Sequence, residues 1–120
     1  MFRFEELEIW RLAIEYAEDI YQLTEAQIFP INERYNLIDQ LKRAAVSISS
    51  NIAEGSGVST DKNFCSYLDI AVASALETVS LMSFAEKRGY IACGKKAELY
   101  SKAETLIKKI RSFKKSIKVS

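Results

Sequence analysis

The sequence predicts an all-α protein, an antiparallel up-down-up-down four-helix bundle formed by residues 1–120 as a single domain. Three observations carry this reading. All four glycines and the single proline fall in three places: Pro30, the pair Gly55 and Gly57, and the pair Gly89 and Gly94. Both residue types disfavour helix interiors, so the long stretches between those places read as helices. Within each stretch apolar residues recur at alternating steps of three and four, the spacing of a bundle seam. Finally, a chain of 120 residues, 48% apolar and 28% charged, is long enough to bury one core without disulfides or metals.

The first helix is expected near 5–25, with Leu7, Trp10, Ile14, Ala17 and Tyr21 on its seam. The second, near 32–55, presents Ile38, Leu41, Ala45, Ile48 and Ile52, and Asn32 is placed to cap it. The third, near 60–88, begins at Thr60, a good cap, followed by Asp61, whose charge suits the positive end of the helix dipole. The fourth, near 95–117, keeps the seam through Leu99, Ala103, Leu106, Ile110, Phe113 and Ile117. Joints of about 4 to 6 residues leave only antiparallel neighbours. Trp10, Ile14, Leu41, Ile48, Leu68, Leu106 and Ile110 are expected in the core, with Trp10 its largest anchor.

The third helix departs from the usual two-faced pattern. Between Lys62 and Glu86 lie 23 residues, of which only Asp69 and Glu77 are charged. A bundle helix ordinarily keeps one wet face, so near-uniform apolarity predicts a second buried face supplied by self-association. The small residues Ala71, Ala73, Ser74 and Ala75 would let another helix approach closely. The alternative is a monomer with a poorly charged third helix.

The longest charge-free runs, 44–53 and 78–85, fall well short of the roughly 18 apolar residues of a membrane span, and the opening Met-Phe-Arg-Phe-Glu-Glu has no secretory pattern. Cys65 and Cys93 would stand about 40 Å apart along a continuous helix, far beyond disulfide reach. A cytoplasmic, reducing location is expected. The chain contains no histidine, which removes serine-histidine and cysteine-histidine dyads, imidazole bases and histidine metal ligands. No catalytic residue, cofactor or metal site is expected, and an enzyme ranks behind any binding role.

Net charge is +1, but it is unevenly spread: residues 1–25 hold seven acids and two bases, whereas 95–120 hold nine bases and two acids. On the last helix Lys108, Arg111, Lys115 and Lys118 follow 3-4-3 spacing and share an outward stripe, flanked by Lys95, Lys102 and Lys109. Such a stripe can track a phosphate backbone. It can equally be a solvated helix end whose lysines complement the C-terminal dipole and the acidic first helix. A membrane-surface role is disfavoured, because no Trp lies near and the apolar face is committed to the core. No aromatic residue is expected on the cationic face, so binding there would be largely sequence-blind. Arg34, Lys42 and Arg43 on the second helix are the next candidates for phosphate contact.

A second polar cluster steps by four, four and three through Arg43, Ser47, Asn51 and Glu54. Folding the chain back near Gly57 brings Arg43 toward Ser74 and Glu77. The expected result is a buried polar seam that fixes register rather than a catalytic site, since carboxylate chemistry would need a second convergent acid.

The run Ser47-Ile48-Ser49-Ser50-Asn51-Ile52-Ala53-Glu54-Gly55 resembles the hallmark of the small bacterial proteins encoded by intervening sequences of large-subunit ribosomal RNA genes. The likeness extends to Phe4, Leu7, Trp10, Phe29-Pro30, Glu33-Arg34-Tyr35, Leu37, Gln40-Leu41, Arg43-Ala44-Ala45, Phe64, Leu68, Ala71, Ser74, Glu77 and Gly89-Tyr90. Asn63 stands where that family usually has glutamate, which removes a capping box, and Ser49 where it has proline or alanine. The resemblance implies a four-helix bundle assembled as a ring-like homopentamer. It also implies kinship with accessory proteins of diversity-generating retroelements, which bind nucleic acid and a reverse transcriptase through basic surfaces. The leading expectation is a non-enzymatic oligomeric RNA-associated adaptor, similar to proteins often labelled ribosomal. A structural protein-protein module without a nucleic-acid partner is the alternative.

Overall fold

The computed structural model describes residues 1–27 and 29–117. Four helices carry the fold: α1 (Glu8–Ala26), α2 (Leu37–Ser56), α3 (Asp61–Lys87) and α4 (Cys93–Ser116). Short 3-10 turns precede α1 (Arg3–Glu6) and α2 (Ile31–Glu33). Each helix packs on its sequence neighbour, α4 closes back on α1, and the body measures 48 × 23 × 22 Å. The helices run antiparallel. Ascending positions 47 and 55 of α2 meet descending positions 74 and 67 of α3, and Asp19 and Glu8 of α1 meet Lys102 and Lys109 of α4.

The stops and starts follow local chemistry. The Thr60 hydroxyl accepts from the Asn63 backbone N–H at 3.1 Å, as expected for the cap of α3. Gly89, at φ +79°, ends α3: the Tyr90 N–H reaches the Ala85 carbonyl and the Gly89 N–H that of Glu86, the paired bonds of a glycine-terminated helix. The first joint is longer than expected. Asn32 lies in the 3-10 turn and caps nothing, and α2 instead starts after Asn36, whose carbonyl and side-chain oxygen both accept from Gln40. Pro30 sets this up, because its carbonyl accepts from Glu33 and holds the chain in a tight turn before the helix proper.

Five of the seven expected core residues, Leu41, Ile48, Leu68, Leu106 and Ile110, are buried. Two are not. Ile14 is 43% exposed and Trp10 is only partly buried. The seam of α1 runs through Ile9, Ala13, Tyr16, Ala17, Ile20 and Leu23, turned round from the stripe expected, of which Ala17 alone is buried. Both stripes are apolar at the right spacing. Ile14, however, has Arg11 and Glu18 as its helical neighbours at i−3 and i+4, which draws that stripe toward the wet face. Phe64 replaces Trp10 as the largest fully buried side chain, with its ring 5.6 Å from Phe113, while Trp10 packs on Phe4 at 4.9 Å.

Tyr16 also explains why this register is tolerable. Its hydroxyl donates across the bundle to Thr78 Oγ1 at 2.8 Å, and Thr78 in turn donates to the Ala75 carbonyl at 2.6 Å. The phenol is thus buried with its polar tip satisfied. Burial pushes the Tyr16 phenol up to about 12, against the hydrogen bond shared with Thr78, which acts to lower it, and with a smaller upward push from the Asp19 charge.

The α2–α3 hairpin closes where a side chain is missing. A Cβ on Gly55 would lie 2.7 Å from the Tyr67 Cβ and 2.8 Å from the Phe64 ring. α3 is long and apolar enough, by length and composition, to cross a membrane, a property the charge-free runs alone did not register. It packs between α2 and α4 as a bundle helix and buries Phe64, Leu68, Ala71, Ala75 and Met82 there. Ile70, Leu76 and Phe84 on it stay about half exposed.

Two expected outcomes follow from this packing. Gly55→Ala should destabilise by about 1–3 kcal/mol in urea unfolding despite its better helix propensity, because the overpacked atoms are a ring and a Cβ. Gly57→Ala, whose Cβ would meet only the Glu54 carbonyl at 3.7 Å, should be neutral or slightly stabilising. For Tyr16, a folded-state value raised from 10.0 to about 12 means the folded chain holds its proton longer than the unfolded chain. Its contribution is fully present below about pH 10 and is lost as pH rises toward 12, a change on the order of 2 kcal/mol. Melting wild type and Tyr16→Phe from pH 9 to 12 should show a steeper alkaline loss in the wild type; parallel curves would refute the assignment.

Candidate nucleic-acid interface

The inner face of α4 is its apolar seam: Leu99, Ala103, Leu106 and Ile110 are buried, and Phe113 and Ile117 pack partly buried against them. With that face committed, the helical period distributes the cations over three others. On the flank toward α1, Lys102 donates to Asp19 at 2.9 Å and Lys109 to Glu8 at 2.6 Å. On the flank toward α3, Lys114 donates to Asp69 at 2.7 Å. Facing outward, Lys108, Arg111 and Lys115 line one shallow groove against α3 and form no ion pair among the described residues.

The paired lysines show their partners electrically. The hydrogen bond and charge of Lys109 hold the Glu8 carboxyl below its usual value, and the hydrogen bond to Asp19 raises Lys102. These pairs lie at the surface, so they orient side chains more than they stabilise the fold. They answer the charge asymmetry in part: the acidic first helix lies beside the basic last one and takes up two of its cations.

The expected cationic stripe is therefore divided. Lys108, Arg111 and Lys115 come together as predicted, Lys102 and Lys109 turn away toward α1, and Lys118 lies outside the described residues. Lys95 pairs with Glu98 at 3.6 Å. The expectation that no aromatic residue joins the cationic face is corrected. Tyr100, 42% exposed, lines the same groove, and so does Glu104. The signal was available in the sequence, because Tyr100, Glu104, Lys108, Arg111 and Lys115 step by four, four, three and four. On the second segment, Lys42 lies over the Tyr21 ring at 4.8 Å and lines one shallow groove with Arg34 and another with Arg43, which pairs with Asp39, so no groove there brings all three together.

The polar seam is smaller than expected. Ser47 Oγ and Ser74 Oγ meet at 3.0 Å between α2 and α3, and Asn51 Nδ2 donates to both the Ser47 carbonyl and its hydroxyl, at 2.8 and 2.9 Å. Arg43 does not reach across. Its side chain is 79% exposed and pairs at 3.1 Å with Asp39 one turn earlier on its own helix, where no charge has to leave water. Glu54 and Glu77 are exposed as well, since an unpaired carboxylate buried in this interface would be costly.

The sequence pattern of the 23S rRNA-intervening sequence proteins matches residues 5–112, a span that takes in the hallmark run of α2, the Gly55 closure and the seam just described. The chain belongs to that family. The family match covers Tyr100, Glu104, Lys108 and Arg111 and ends before Lys115. Among solved structures, the chain is similar to a protein of unknown function from the S23 ribosomal protein family of Bacteroides thetaiotaomicron VPI-5482, with a TM-score of 0.78 and 24% identity over 90% of this chain and 99% of that one. At that identity the likeness speaks for the fold. No curated protein matches the sequence.

The seam yields a direct check. Asn51→Ala should cost about 1 kcal/mol in thermal or urea unfolding, since it removes two donated bonds but leaves Ser47 paired with Ser74. Glu54→Ala should stay within about 0.5 kcal/mol of the parent. Equal losses in both variants would restore Glu54 to the seam.

Proposed function

We propose that this protein is a non-enzymatic, oligomeric, RNA-associated adaptor of the cytoplasm. The observation that carries the proposal is the sorting of cations on α4. Four lysines, Lys96, Lys102, Lys109 and Lys114, are taken up by carboxylates of α1 and α3, whereas Lys108, Arg111 and Lys115 converge on one open groove. Cations held together at a concave surface are the electrostatic footprint of a phosphate backbone. Family membership, in proteins whose genes lie within ribosomal RNA genes, supports RNA over other polyanions.

The oligomeric part rests on α3. Ile70, Ala73, Glu77, Ser80 and Phe84 form an outward stripe at 3-4 spacing with a single charge, a second seam in search of a partner helix. A second copy of the chain is the occupant proposed, and a ring of five is the assembly the family resemblance favours. Repeating the groove once per subunit would multiply weak phosphate contacts by avidity.

A second reading, a structural protein-protein module, draws on one specific observation: the Lys102–Asp19, Lys109–Glu8 and Lys114–Asp69 pairs give part of the basic helix an internal use.

Binding of mixed-sequence RNA should fall steeply with salt, with a log-log slope of about −0.7 per single-strand phosphate neutralised. Replacing Lys108, Arg111 and Lys115 by glutamine should flatten the slope without changing helicity. Absence of salt-sensitive binding near about 50 mM salt would hand the function to the structural module. Light scattering should give a mass well above 13.6 kDa at micromolar concentration; the single-chain mass would end the oligomeric part.

A further inference from the structure

The groove between α3 and α4 is chemically uneven along its length. Its lower part carries Lys108, Arg111 and Lys115, spanning about 10 Å of helix rise. Its upper part carries Tyr100 and, about 6 Å further along, Glu104, and Leu76 of α3 joins the lining near the middle, level with Ile107. Tyr100 is not a core residue: it is 42% exposed, and the Lys96 ammonium lies 5.0 Å from its ring centroid. Glu104 is exposed and makes no ion pair among the described residues, although Lys108 stands one turn away on the same stripe.

A carboxylate in a groove that only tracked phosphates would repel the ligand. Beside an exposed aromatic ring it has a different use, because a carboxylate accepts hydrogen bonds and the nucleobases that carry exocyclic amino groups donate them. Aromatic rings stack on unpaired bases, whose faces are covered in a duplex. The two ends of the groove thus match the two halves of a nucleotide.

We infer that this groove takes single-stranded nucleic acid, with one unpaired base stacked on Tyr100, the exocyclic amino group of that base donating to the Glu104 carboxylate, and the adjoining phosphates held by Lys108, Arg111 and Lys115. The inference rests on the phosphate-binding reading above and adds a preference to it: cytosine, adenine and guanine have the amino group, and uracil does not. The groove is therefore a reader of base edge as well as a holder of backbone.

Oligo-C and oligo-U of equal length share ring size and backbone; at position 4 cytosine carries an amino donor, whereas uracil carries a carbonyl that the Glu104 carboxylate would repel, its one edge donor, the ring N3–H, lying between two carbonyls. Fluorescence anisotropy of the labelled oligomers with the full chain near about 50 mM salt should show oligo-C bound several-fold more tightly. Tyr100→Leu should weaken oligo-C binding about fivefold or more, and Tyr100→Phe should retain the wild-type affinity. Glu104→Gln should abolish the difference between the oligomers without lowering affinity for oligo-U, since it removes a negative charge near the phosphates. Equal wild-type affinities for the two oligomers, or unchanged oligo-C binding by Tyr100→Leu, would overturn the inference and leave the phosphate reading standing. Failure of the wild type to bind either oligomer would overturn both.

Discussion

The closure of the α2–α3 hairpin at Gly55 is the constraint on which the rest of the bundle depends. With no Cβ at that position, Phe64 and Tyr67 reach the backbone of α2, and the two helices meet at a fixed register. One consequence is that Ser47 falls opposite Ser74, where their hydroxyls pair and Asn51 completes the set. Another is that Phe64, pinned at the first turn of α3, becomes the largest buried side chain and the platform for Phe113 of α4. A short polar contact and a missing methyl therefore act together: the glycine permits the approach, and the hydroxyls penalise any slip, because a shifted register would strand them without partners.

Electrostatics then divides the surface that packing has set up. α1 and α4 carry opposite charge and lie side by side, so Asp19 and Glu8 draw Lys102 and Lys109 to the seam between them. These exposed pairs contribute little to stability, but they fix which cations remain outward. The result is a local concentration of positive charge on a chain whose net charge is only +1. Composition alone would argue against a polyanion partner. The arrangement of the residues argues for one.

The third helix links fold to proposed assembly. Its inner face contributes Phe64, Leu68, Ala71, Ala75, Thr78 and Met82 to the core, and its outer face keeps Ile70 and Phe84 in solvent. In a bundle of four helices an apolar outer face has no internal use, and that cost is understandable if another copy covers it. The groove proposed for nucleic acid includes Leu76 at the edge of this face, so the proposed assembly and the proposed ligand site are neighbours on one helix without sharing the stripe itself.

Helix number, order and the seams of α2 and α4 were legible in the sequence, because glycine, proline and 3-4 periodicity act locally and each of those two helices had one apolar stripe to choose. The first helix had two. Only the packed structure chose between them, through the Tyr16 hydroxyl finding Thr78 and the charged neighbours of Ile14 staying wet. The candidate site divided in the same way. That Lys108, Arg111 and Lys115 share a face is a matter of helical geometry and was readable in advance. That Lys102 and Lys109 are taken up by α1, and that Leu76 of α3 joins the lining of the cationic groove, depended on which helix lies alongside which. Periodicity tells a residue which way to face along its own axis; only tertiary contact decides what it faces, because the partner of a long charged side chain is whichever opposite charge the neighbouring helix brings within its reach.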